Sequence, residues 1–183
     1  MHNRRVASFL IGAWLLGSLF MFFVATQNFR GVERLLEAPT AASSQRLEAL
    51  GKDDARLFLR FQASELNRYF FASWERAQLF IGVLLVLVMM RGSTRMIVIA
   101  MPLTMLIIAA LGHWVLSPEI NRLGAAMDFV PNARDTEIGK EFWRYHQAYS
   151  TGEVVKFLIG SVFAFLLLSR WKSLSAKQIE PEI

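Results

Sequence analysis

The 183-residue chain has no cysteine, only three histidines and few charges, which make up 19% of its residues where soluble domains average about 25%. The missing cysteines exclude disulfides, thiolate metal sites and cysteine nucleophiles, and leave the redox compartment unmarked. Three histidines, with His2 at the opposite end of the topology from His113 and His146, exclude a histidine-rich metal site. No Ser-His-Asp order, Walker loop, dinucleotide fingerprint or H-E-x-x-H sequence occurs, so the chain reads as non-enzymatic. A net charge of +5 would suit nucleic acid. The basic residues are scattered or flank apolar runs, with no interleaved aromatics, and nucleic acid is set aside as a partner.

Apolar residues dominate instead, at 54% of the chain, with a mean hydropathy of +0.36. A helix needs about 20 mostly apolar residues to cross a hydrocarbon core of about 30 Å. Four segments qualify, at about 6–26, 71–90, 96–116 and 150–169. The first follows Arg4 and Arg5 like a signal peptide. Its apolar run exceeds the usual 7–15 residues or so and its cleavage signal is weak, so it reads as an anchor. The expected fold is all-α: a single-domain, integral membrane four-helix bundle, with the lipid bilayer as its first partner.

Basic residues near span ends set orientation. Arg4 and Arg5 precede the first span, Arg91 and Arg95 lie in the tight "RGSTR" loop, and Arg170, Lys172 and Lys177 follow the fourth. Four spans put all three groups on one side, the cytoplasm. The reading is an inner- or plasma-membrane protein with both termini cytoplasmic and helices extending on the extracytoplasmic side. Asp53 or Asp54 is a candidate N-cap. Leu57, Phe58, Phe61 and Phe70 recur near helical spacing, and no Pro or Gly interrupts 53–81. One long helix is predicted from there through the second span. "SPEINRLGAAM" predicts a fresh helical start, with Ser117 as cap and Pro118 at the first helical position. "EAPTAASSQ" and "DFVPNARD" read as breaks.

Inside the spans, Ser8 with Gly12 and Ala13 with Gly17 are small pairs at four-residue spacing, read as packing within the bundle. Pro102 predicts a static bend in the third span. Met89, Met90, Met96, Met101 and Met105 cluster in sequence. Thioethers suit Cu(I), but Met is also a routine packing filler, and that reading is preferred.

The ionisable residues carry more information, because charge inside a membrane is expensive and is snorkelled, paired or functional. Glu75 and Arg76 fall in the second span, His113 near the end of the third with Glu119 just beyond, and Glu153 and Lys156 near the start of the fourth. Three helices thus bring charge to one level. His146, Tyr149, Ser150 and Glu153 fall at i, i+3, i+4 and i+7, one helix face, and Lys156 can meet Glu153 directly. Glu75 and Gln78 share a face with Asn67 and Gly82. The expected solutions are a snorkelling Lys156 and a cross-helix pair, either Glu75 with Lys156 or Arg76 with Glu153.

The leading reading is a polar cluster that fixes helix assembly in an accessory, interaction or small binding protein. Its partners are other membrane subunits or a second copy, and it needs no cofactor. The alternative is a small-solute or ion transporter, with Glu75, Glu153, Lys156 and His146 lining a path. A second alternative is a redox protein with haem between His113 and His146.

Three stretches carry a resemblance: "AWLLGSLFMFFVATQNF", "VLSPEINRL" and "FWRYHQAYSTGEVVK". They are similar to the first span, the Pro-containing segment after the third span and the Phe-x-x-x-His opening of the last span in the transmembrane-protein-205-like family. The resemblance covers the layout of nearly the whole chain. It implies a small four-span membrane protein and names no reaction.

Overall fold

The structure is a computed structural model that describes the backbone of residues 2–92 and 95–177 and the side chains of 3–92 and 95–169. Arg170, Lys172 and Lys177, counted above toward orientation, lie outside the described side chains. Every regular element among the described residues is helical, and none is a strand. Four helices are long and apolar enough to cross a membrane.

Helix α1, His2–Glu37, runs well past the end of the first apolar segment. It stops at Ala38 because the residue before Pro39 is pushed out of the α region. Thr40 then caps α2, Ala41–Leu50, its hydroxyl accepting the Ser43 N–H at 3.3 Å. Gly51, at φ 80°, supplies the left-handed turn that ends α2. Helix α3 follows as one 41-residue piece, Lys52–Gly92, as the unbroken pattern predicts. Asp53 and Asp54 occupy its first turn, where they face the positive end of the macrodipole. At about 1.5 Å per residue it is about 60 Å long, twice the thickness of a hydrocarbon core.

Helix α4, Met96–Leu111, holds Pro102 fully buried within it. It leads without a break into a π-helical turn, Gly112–Leu116, and then α5, Ser117–Ala126. The fresh start expected at Ser117 is therefore corrected. Ser117 makes no side-chain cap, and its N–H reaches the Gly112 carbonyl five residues back. Pro118 has no N–H to donate, and the wider turn just before it resets the bonding register so the helix continues. The chain then reverses over 127–136, with Phe129 and Asn132 at positive φ. Phe129 lies 4.8 Å from the Phe61 ring, and Asp128 accepts from Arg68 at 2.8 Å, so this loop is pinned to α3. Thr136 caps α6, Glu137–Lys177, by accepting the Gly139 N–H at 3.1 Å.

The chain ends gather as a four-span layout requires. Gly92 lies against the Asn3 side chain, and Arg4 donates to the Leu167 carbonyl at 2.6 Å. We call this the basic end. The far end holds α2, α5 and the 127–136 loop.

Two apolar cores result. The larger joins α1, α3, α4 and α6 through Ala7, Ile11, Trp14, Leu85, Met105 and Phe163. The smaller, Val32, Leu36, Ala55 and Ala63, sits between the far halves of α1 and α3. Gly17 is needed for the first: a Cβ there would fall 2.2 Å from the Trp74 ring. Gly12 faces open space, so only one of the two small pairs packs inside the bundle. The methionines divide similarly. Met89 and Met105 are core, whereas Met90 and Met96 point outward, so they converge on no common site. Large apolar side chains cover the outside of the same segments, among them Phe9 at 75% exposure, Phe22, Phe80, Leu158 and Phe165.

Candidate functional site

Helix α3 buries one stripe along its length, and that stripe includes Asn67, Glu75, Gln78, Gly82, Leu85 and Met89. Nearest the far end, Asn67 accepts from Asn28 of α1 at 2.6 Å and donates to the Ala25 carbonyl. Two turns on, Glu75 is 4% exposed. Its Oε2 meets Nδ1 of His113 at 2.9 Å. An ionised carboxylate only accepts, so Nδ1 carries the hydrogen of that bond. The π turn presents His113 toward α3, and π turns recur at functional positions for this reason.

One turn further, Gln78 is fully buried and joins two residues of α6. Its amide nitrogen donates to Glu153 Oε2 at 3.2 Å, and its oxygen accepts from Lys156. Lys156 also donates to Glu153 Oε1 at 2.6 Å. Its ammonium lies 6.0 Å from the Trp14 ring of α1, within cation–π range. Lys156 is 3% exposed. The snorkelling expectation is therefore corrected: Gln78 and Glu153 give the ammonium two oxygens inside the bundle, so it has no need to reach a surface.

The expected cross-helix ion pairs do not form either. Glu75 pairs with His113, and Lys156 pairs within its own helix. Arg76 is exposed and turns back to the Ala72 carbonyl at 3.0 Å, since it points about 100° away from Glu75 around the helix. Glu119 pairs with Arg122 on α5 and stays outside the cluster. His146 also stays apart from the bonded set. It stacks on Phe142 and meets Trp143 edge-on, and this burial pushes its imidazole below the ordinary histidine range. Ser150, on the same predicted face, is exposed.

Tyr149 does join the cluster. Its ring lies edge-on to Phe71 and against Gly112 of the π turn. Its hydroxyl sits within reach of the carboxylates of Glu75 and Glu153, yet is buried without a well-formed hydrogen bond to either. Glu75 Oε1 and Trp14 Nε1 are likewise buried and unbonded. Buried polar atoms are almost always satisfied in folded proteins, so three in one neighbourhood single it out. Trp14 has no sequence signal for this role, because a lone tryptophan in an apolar span reads as packing.

Among the described residues, no group of three or more His, Asp or Glu side chains could hold a metal ion. The chain matches no family model, no curated protein and no solved structure. The functional reading therefore rests on this geometry.

Proposed function

We propose that this chain is an integral protein of the inner or plasma membrane, with both termini cytoplasmic, that works as a small binding or accessory protein. The outward-facing Phe, Leu and Ile side chains of the four long helices support the membrane placement, since such a surface is at home in lipid and costly in water. Arg4 and Arg91, at the basic end where α1 begins and α3 ends, support the orientation. The observation that carries the functional reading is the Gln78–Glu153–Lys156 set beside Glu75–His113. It ties α3, the π turn and α6 together by side-chain bonds in otherwise apolar surroundings. Above it, α1, α2 and α3 continue past bilayer thickness with a second core, and this offers a partner subunit a helical surface.

The test is a charge-pair cycle. Glu153→Gln with Lys156→Met should leave membrane yield and thermal stability near normal. Each single change should lower both further, because it strands the remaining charge. Singles no worse than the double would overturn the reading. Transport is the second reading, favoured by the unbonded oxygens of Glu75 and Tyr149. It requires the double variant to fold and to lose ion flux in reconstituted vesicles. Haem between His113 and His146 requires a Soret band in the purified protein.

A further inference from the structure

The cluster does not balance its own charge. The ionisable groups that face it are Glu75 from α3, His113 from the π turn, and Tyr149, Glu153 and Lys156 from α6; α1 contributes only Trp14. Arg76, Glu119 and His146 face elsewhere. Two carboxylates stand against one ammonium, leaving one negative charge whenever His113 is neutral. An uncompensated charge in an apolar interior is strongly disfavoured. The oxygens without a partner are also the ones a cation would use: Glu75 Oε1 and the Tyr149 hydroxyl, both buried, with the Glu153 carboxylate beside them.

We propose that Glu75, Tyr149 and Glu153, with His113 alongside, form a site for one small monovalent cation, either a proton or an alkali ion. An alkali ion takes the free oxygens as ligands, as hard cations prefer. A proton adds to the free Nε2 of His113, or to Glu75 Oε1, and breaks no bond in doing so. Either occupant supplies the missing positive charge.

The exposed part of the site lies on one side. His113 and Glu153 keep about a quarter of their side chains exposed, at 26% and 24%, and they give access near the far end. Toward the basic end, the next layer is Ala7, Ile11, Leu85, Met89, Met105 and Phe163. The buried polar side chains of the described residues are Asn67, Glu75, Gln78 and Lys156, so none continues the chain of polar groups through that layer. The proposal is accordingly of a site that the cation enters and leaves by the same side, binding without conducting.

The test uses the full-length protein purified in detergent. Its unfolding midpoint is followed in sodium, potassium and choline chloride at equal ionic strength, and in choline on acidification, each beside Glu75→Gln. A binder of the native state raises the midpoint by mass action. The alkali arm expects a midpoint several degrees higher in one alkali salt than in choline, and no such rise in Glu75→Gln. The proton arm expects acidification in choline to stabilise the wild type relative to Glu75→Gln; comparison at each pH cancels the contribution of His146. If Glu75→Gln fails to fold, Tyr149→Phe replaces it in the alkali arm and His113→Gln in the proton arm, and each should shrink the response. A wild type indifferent to alkali ions, whose offset from the variant is constant with pH, overturns the proposal. It rests on the binding-protein reading, but the two fail separately: that result leaves the charge-pair cycle standing.

Discussion

Near the basic end, α1 and α6 meet through the apolar side chains of Ala7, Ile11, Phe163 and Leu167, with the Arg4 bond to the Leu167 carbonyl at the rim. Two turns along, the same bundle closes around Gln78, Glu153 and Lys156, joined by three side-chain hydrogen bonds. Gln78 and Lys156 are as buried as the apolar contact, but the two regions respond to damage differently. An apolar core loses contacts in proportion to the volume removed. A polar set loses little if both partners of a bond go, and much if one is left behind.

The largest expected effects break this comparison directly. Phe163→Ala should cost about 3–5 kcal/mol through the cavity it leaves, and no second truncation should restore it. Lys156→Met alone should cost a similar amount, about 3–5 kcal/mol, yet Glu153→Gln should return most of it. Denaturant unfolding in mixed micelles measures both. If the second pair shows no rescue, the two regions do not differ in kind. Gln78→Leu comes next, at about 1–3 kcal/mol. It removes the amide that satisfies both residues of α6, and a loss no larger than that of a surface substitution would mean Glu153 and Lys156 suffice alone.

The difference between the regions also decides what the sequence could reveal. Apolar length marks the four long helices, and the absence of Pro and Gly over 53–81 marks α3, because both are local properties. The stripe through Asn67, Glu75, Gln78 and Gly82 follows from helical periodicity, as does the meeting of Glu153 with Lys156. The direction in which Lys156 points does not follow. Its choice between the bundle's surface and its interior is made by Gln78, on another helix and far away in sequence. The π turn is hidden for a related reason: Pro118 reads as a helix start, and only the continuing helix shows that the register shifted instead. Arg76 illustrates the converse, a charge at the right depth on the wrong face.

His146 offers a smaller effect with a definite sign. Its imidazole sits below the ordinary histidine range because its ring is desolvated against Phe142 and Trp143. In the unfolded chain the ring takes up a proton at higher pH than in the fold. Acidification through that window therefore favours unfolding. His146→Phe should keep the aromatic stack and flatten the acid side of the stability profile. An acid slope left unchanged by that change would show that the ring is solvated in the fold.

The smallest effect expected is at the surface. Glu33 on α1 faces Arg56 and Arg60 of α3, each at 3.5 Å, with about half of these side chains exposed. The pairs flank the second core, where Val32, Leu36, Ala55 and Ala63 already hold the two helices together. Water and salt screen such charges, so Glu33→Gln should cost no more than about 1 kcal/mol, and the cost should fade as salt rises. The rescue of Lys156 by Glu153→Gln should depend far less on salt, because the Lys156 ammonium is buried at 3% exposure. If both respond to salt alike, Lys156 is solvated and the polar region is no interior. If only Glu33 responds, the same pairing of acid and base has two unlike energies in one molecule, set by what surrounds it.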